Sequence, residues 1–195
     1  MSSRINQLTG KVEKLYRSKN VGRDEWSDWI FDNHVLLVSS MAEKLSKRYG
    51  ANSDLAVAAG LLHDIADVVM SRFDKEHEEE SLRIAKKLLI ECKFTDEEIG
   101  VVLDALKMHG CYNGEKPSTL EGRIMAAADA VVHLKSSFYD YAIERKKETQ
   151  SVDDISVWGL NKIKRDFYNK IAFEDLRDEV KKDYVQVKDK FLNLK

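Results

Sequence analysis

Residues 58–68 read Ala-Ala-Gly-Leu-Leu-His-Asp-Ile-Ala-Asp-Val, and they place three ionisable side chains, His63, Asp64 and Asp67, at the end of an otherwise apolar run. The run begins near Ser53 and carries Leu55, Val57, Ala58, Ala59, Leu61, Leu62 and Ile65. A segment apolar nearly all round is the pattern of a helix buried at the centre of a bundle. An imidazole and a carboxylate set there cost free energy unless each finds a partner. Together they are also the donor set for a divalent metal of intermediate hardness.

Working outward, the same residue types recur in segments that read as neighbouring helices. Upstream, His34 shares a face with Val38, Met41 and Leu45 at i, i+4, i+7 and i+11. Downstream, Asp129 follows Ala126, Ala127 and Ala128, whose small side chains allow a close helix approach. The order is H…HD…D, with His77 and His109 between the pair and the last aspartate. One buried metal would account for His34, His63, Asp64 and Asp129 together. Adjacent helical residues point about 100° apart, so an ion at the helix edge would take His63 from one side and Asp64 from the other. Asp67 follows His63 by four positions and Asp64 by three, which puts all three on one helical face if the helix continues.

The rest of the chain supports an all-α fold. It has 195 residues, one proline, Pro117, and nine glycines. The spacing predicts a first helix over about 3–18, then a break at Asn20–Gly22, with Asp24 capping a short aromatic segment of Trp26, Trp29 and Phe31. Asp32 or Asn33 is expected to cap a helix to Tyr49, closed by Gly50. Further helices are expected over about 53–65, 76–92 and 95–109, the last with a Thr95–Glu98 capping box. Gly110–Ser118 reads as a loop, and a long helix is expected from there through Asp129 towards Lys146. One domain is expected, with a core over about 20–150. Residues 151–195 would form a helical extension that packs on the core or makes the face of a homo-oligomer.

Bulk composition narrows the function. Net charge is −2, so no basic excess points to a nucleic acid polymer or an anionic membrane. No apolar run approaches the ~20 residues of a membrane span. The N-terminal segment has no signal-peptide core. Two cysteines, Cys92 and Cys111, lack metal-ligand spacing and read as reduced thiols. A cytoplasmic location is expected.

The segments NHVLLVSSMAEKLS, AAGLLHDIADV, KEHEEESLRIAKKLL, LKMHG and IMAAADAVVHL together resemble the HD superfamily of metal-dependent phosphohydrolases, over about residues 32–135. The resemblance implies an HD-domain helical bundle. It makes His34, His63, Asp64 and Asp129 the ligands of one divalent ion (Mn, Mg, Fe, Co or Ni). In two-metal subgroups, histidines placed like His77 and His109 hold a second ion, so one or two ions per chain are implied. It also implies that Asp64 bridges the pair, and that Asp67 orients the attacking water or passes its proton. In nucleotidase members an arginine upstream of the first histidine, here Arg23, holds phosphate. Arg72, Lys107 and Lys116 are further phosphate candidates from their charge alone. Trp26, Trp29 and Phe31 read as core or as a platform for a base. His133, one turn beyond Asp129, reads as a core or surface histidine, or as a support for the metal ligands.

These residues favour hydrolysis of a phosphate ester or anhydride, with a nucleotide or another small phosphorylated metabolite as substrate. Two other readings use the same residues differently: an HD-fold ligand-binding or regulatory module with weak catalysis, and a helical interaction protein whose polar residues are incidental.

Overall fold

The structure, a computed structural model, describes residues 2–195 and contains ten α-helices and no strand among them. The all-α expectation is met. Helix α1 (Ser3–Arg17) buries Ile5, Leu8, Val12 and Tyr16 along one face. Helix α2 (Ser27–Ile30) runs through a π-helical stretch, Phe31–Val35, into α3 (Leu36–Tyr49), which Gly50 closes at φ 73°. The expected caps at Asp32 and Asn33 are therefore absent, because the helix runs straight through them. Asp32 instead pairs with Arg17, and the Asn33 amide donates to the Trp29 carbonyl at 2.9 Å. The wide turn also alters the inward face: Ala42, not Met41, is fully buried with His34, Val38 and Leu45.

Helix α4 (Ser53–Leu62) is the centre of the molecule, and every residue from Leu55 to Leu62 is buried. Gly60 lets α3 cross it closely, since a Cβ there would lie 3.0 Å from Ser39 Cα. The helix ends at the His63–Asp64 pair: Asp64 has φ −119° and ψ 29°, and a 3₁₀ turn, Ile65–Val68, follows. Neighbours satisfy the backbone of this turn, as burial requires. Tyr16 donates to the Asp64 carbonyl at 3.0 Å. The Asp67 carbonyl accepts from Asp24 N–H at 2.8 Å and Ser27 Oγ at 2.7 Å. Ala66 N–H donates to Ser81 Oγ at 3.2 Å.

Helix α5 (His77–Glu91) packs against α6 (Asp96–Met108) and the 3₁₀ turn, while α6 packs against α4 and carries the Thr95–Glu98 capping box that was expected. Helix α7 (Leu120–Lys135) is buried continuously from Ile124 to Leu134. It does not run on to Lys146. Ser136 is extended, its hydroxyl accepts from Phe138 N–H at 3.2 Å, and α8 (Phe138–Lys147) starts in a new direction. Helix α9 (Val152–Arg165), a second π-helical stretch (Asp166–Lys170) and α10 (Glu174–Leu192) form the C-terminal part. Their residues Ile155, Ile163, Phe167, Leu176, Val180 and Phe191 share one apolar cluster with α3 and α7. A second cluster joins α1, α4, α5 and α6. Both cysteines are free and buried.

Replacing Gly60 by Val is expected to overpack the α3–α4 crossing and destabilise the protein by about 1–3 kcal/mol. Thermal unfolding should then shift down by roughly 2–4 °C per kcal/mol.

Candidate metal centre and cavity

Four of the sequence-chosen side chains meet where the two apolar clusters adjoin. His34 arrives from the π-helical stretch, His63 and Asp64 from the broken end of α4, and Asp129 from α7. His34 Nε2 lies 3.0 Å from His63 Nε2 and 3.1 Å from Asp129 Oδ1. His63 Nε2 is 3.5 Å from Asp64 Oδ2 and 3.9 Å from Asp129 Oδ1. His34, His63 and Asp129 are buried, while Asp64 is partly open to solvent.

Hydrogen bonding on the far side of two rings, those of His63 and His133, constrains what they turn toward this point, while His34 Nδ1 has no partner among the described residues. His63 Nδ1 donates to the Gly60 carbonyl at 2.9 Å, which turns Nε2 toward this point. His133 Nδ1 donates to Asp166 Oδ2 at 3.0 Å, which leaves its Nε2, 3.2 Å from Asp129 Oδ1, as a lone pair. Burial holds the His133 imidazole neutral, with its pKa pushed down to about 3, and burial also lowers that of His34. Asp129 Oδ1, a fully buried oxygen, has no hydrogen-bond partner among the described residues. A single N–H on His34 Nε2 cannot serve both His63 Nε2 and Asp129 Oδ1, so a cation among these donors would relieve their crowding. Ligand atoms of His34, His63 and Asp64 lie within 4.8 Å of one another, as do those of His34, Asp129 and His133. The donor set and the orphaned oxygen therefore fit a divalent metal. Burial alone would raise both aspartate pKa values, but it is outweighed. Neighbouring imidazoles with Arg72 hold Asp64 below the usual carboxylate range, and imidazoles with Lys170 do so for Asp129.

His63, Asp64 and Asp129 line a cavity of about 400 Å³, and His34 stands behind them, outside its lining. Asp64, His63, His109, His77, Arg72 and Lys107 line it as the sequence suggested. Arg23 does not. Its guanidinium donates instead to the Tyr16 carbonyl at 3.1 Å and to Asp28 at 2.9 Å. Lys116 is exposed in the loop and also stands outside the cavity lining.

Asp67 is placed differently from its sequence reading. The helix breaks before it, so it leaves the face of His63 and Asp64 and does not line the cavity. It is fully buried, with one oxygen on the Arg72 guanidinium and the other 2.9 Å from His77 Nε2. Arg72 is further held by Asp24 through its backbone N–H at 2.8 Å, and its side chain comes within 3.5 Å of Asp64. Burial favours neutral His77, yet the Asp67 bond prevails and raises its pKa. His109 Nδ1 donates to the Leu106 carbonyl at 2.5 Å, and its ring stands 5.6 Å from that of His63. Neither His77 nor His109 falls in a three-ligand group, so among the described residues the donors for a second ion do not converge. Trp29 stacks on Tyr141 at 4.0 Å and Phe31 on Tyr16 at 5.0 Å, so both are core. Trp26 reaches the cavity wall, where the Arg72 guanidinium covers its ring at 4.9 Å.

The C-terminal part supplies groups that sequence reading passed over. The Lys170 ammonium bonds Asp129 Oδ2. Asp166 Oδ2 also accepts from Tyr139 at 2.6 Å and lies 3.4 Å from Lys162. One signal for them existed: Lys162, Asp166 and Lys170 recur every four residues, each just before Ile163, Phe167 and Ile171 of the apolar stripe. Charges so close to a buried face are candidates for burial.

Comparison with known proteins gives the family and the fold. The HD domain profile matches residues 31–133, more than half of the chain. The chain belongs to the HD domain family. Ribonuclease Y of Alkaliphilus metalliredigens is 35% identical over 124 residues, covering 63% of this chain and 24% of that protein. Ribonuclease Y of Bacillus subtilis is 29% identical over 98 residues, covering 50% of this chain and 17% of that protein. The HD chain thus spans about a quarter or less of the length of these relatives. A crystal structure of a predicted HD superfamily hydrolase from an uncultured Thermotogales bacterium shares the fold. Its TM-score is 0.63 at 19% identity, covering 96% of this chain and 90% of that one. No helix of this HD protein is long and apolar enough to cross a membrane.

His133 makes stability pH-dependent. Its folded pKa of about 3 lies below the ordinary histidine value of about 6.5. Between these values the unfolded chain binds a proton that the folded one does not. The stabilisation is thus complete above about pH 6.5 and is lost as pH falls towards 3, by about 1.4 kcal/mol per pH unit for that proton. Urea titrations of chelator-treated protein at pH 7.5 and 5 should show this loss, and a smaller one in His133→Gln.

Proposed function

We propose that this HD protein is a metal-dependent phosphohydrolase acting on a nucleotide or another small phosphate ester or anhydride. The observation that carries the reading is the meeting of His34, His63, Asp64 and Asp129 at the wall of a cavity lined by more basic than acidic groups. Seven basic side chains line it, among them Arg72, Lys107, Lys162 and Lys170, against four acidic ones, Asp64, Asp74, Glu78 and Asp129. Such a cavity concentrates anions. A divalent ion held by the four ligands would lower the pKa of a bound water and polarise a phosphoryl oxygen.

The chain's own groups then have distinct tasks. Asp64 and Asp129, kept ionised by their neighbours, hold positive charge at the cavity wall. Arg72 offers its planar guanidinium to phosphate oxygens from the wall. Asp67 works through others: it orients Arg72 and His77 and keeps a proton on the latter. Lys107, exposed at the rim, adds attraction for the incoming anion. The His133–Asp166–Tyr139 network fixes the ring beside Asp129. No nucleic acid polymer is required, although the names of the ribonuclease Y relatives justify short oligoribonucleotides in any substrate panel.

The alternative, a ligand-binding HD module with weak turnover, draws on Lys170. Its ammonium already neutralises one oxygen of Asp129, as a metal would. Metal content separates the two.

Protein loaded with Mn, Mg, Fe, Co or Ni should retain close to one ion per chain by mass spectrometry and should release phosphate or a nucleoside monophosphate. Asp129→Asn should lose the ion and at least about a hundredfold in kcat/KM, beyond the tenfold to hundredfold typical of supporting residues. Absence of both ion and turnover after loading would overturn the reading. Arg72→Ala should raise KM more than it lowers kcat, as loss of a ground-state phosphate contact does.

A further inference from the structure

Three of the seven cations lining the cavity already have a carboxylate, and of the other four, Lys75, Lys107, Lys146 and Arg165, only Lys146 is a buried residue. Arg72 has Asp67, Asp64 and Asp24; Lys162 has Asp166; Lys170 has Asp129. Lys146 of α8 does not. Only 7% of the residue is exposed, and its ammonium makes no hydrogen bond or ion pair among the described residues. It rests 4.4 Å from the ring centre of Trp158 and 5.6 Å from that of Phe73. Aromatic faces attract a cation but offer it no anionic oxygen, so its charge stays available to a ligand in the cavity. A lysine whose stem is buried, and whose ammonium faces the cavity without a carboxylate, is placed to receive an anion. Phe73 itself is 71% exposed beside it, an unusually open position for so large an apolar ring.

We propose that Lys146, framed by Trp158 and Phe73, is a second anion subsite of the cavity, taking a phosphoryl group of the substrate other than the one attacked. The substrate class is then a nucleoside diphosphate or longer polyphosphate, with Phe73 a stacking face for its base. The proposal rests on the phosphohydrolase reading for the first phosphate only. Burial and the charge of Arg72 lower the Lys146 pKa, which is the state a cation without a counter-ion occupies, and an arriving phosphate would reverse it. Lys146 lies outside residues 31–133, so this subsite belongs to the C-terminal part of this chain rather than to the shared HD segment.

Calorimetric titration of chelator-treated protein, in which hydrolysis is silent, tests the subsite with adenosine diphosphate, adenosine monophosphate and adenosine. Wild type should bind the diphosphate about tenfold more tightly than the monophosphate, the scale of one charged hydrogen bond. Lys146→Met should abolish that preference and leave monophosphate affinity within about twofold. Its melting temperature should hold, because Lys146 has no ion pair to lose and methionine keeps the packing of its buried stem. Lys146→Arg, the second variant should the first not fold, should keep the preference. Equal loss for both nucleotides, a lowered melting temperature with the preference kept, or no preference in wild type would each overturn the subsite. Turnover separates the two readings. Loss of the preference in a protein that hydrolyses nothing would sustain the subsite and sink the hydrolase. Hydrolysis with discrimination unchanged in Lys146→Met would do the reverse.

Discussion

The structure depends on a shortage of protons around Asp129. Its Oδ1 has imidazole nitrogens at 3.1 and 3.2 Å, and the His133 ring is held neutral with its one N–H committed to Asp166. His63 likewise spends its N–H on the Gly60 carbonyl. Donors so crowded in a buried space favour a cation among them. Much of the surrounding architecture serves to keep them there: the α4 break, two π-helical stretches and a C-terminal part that delivers Lys170 to the other Asp129 oxygen.

The two π-helical stretches share a logic. A wide turn inserts one residue and rotates the next segment of helix relative to the one before it. In the first, His34 gains its approach to His63 and Asp129. In the second, Asp166 and Lys170 turn inward beside Lys162 of the preceding helix. Each costs some backbone regularity, and each places a charged or titratable group in the buried centre.

The Asp67 cluster shows how a carboxylate near an active centre can act without facing it. With both oxygens engaged and no exposure, it sets the positions of Arg72 and His77, which do reach the cavity. Asp24 reinforces Arg72 from the other side and also closes the turn ahead of α2 by accepting from Trp26 N–H at 2.8 Å, although α2 itself has no side-chain cap. The loop before α2 is thereby tied to the cavity wall, although none of its own acidic groups enters it.

Sequence alone determined the helices, through apolar periodicity, the Thr95–Glu98 box and Gly50, and it picked out His34, His63, Asp64 and Asp129 because polar groups in apolar runs must be satisfied. It misjudged what depends on helix continuity. The run through Asp32 and Asn33, the stop before Asp67 and the corner at Ser136 are set by partners distant in the chain, such as Arg17 for Asp32 and Tyr16, Ser27 and Ser81 for the turn. Only tertiary structure decided that Arg23 turns away, that His133 supports Asp129, and that Lys170 and Lys146 reach the cavity from beyond the shared segment. A side chain's periodicity is local and can be read from its neighbours in sequence. Which charges face one another across packed helices is set by crossing angles and by hydrogen bonds between residues far apart in the chain, and no local pattern records those.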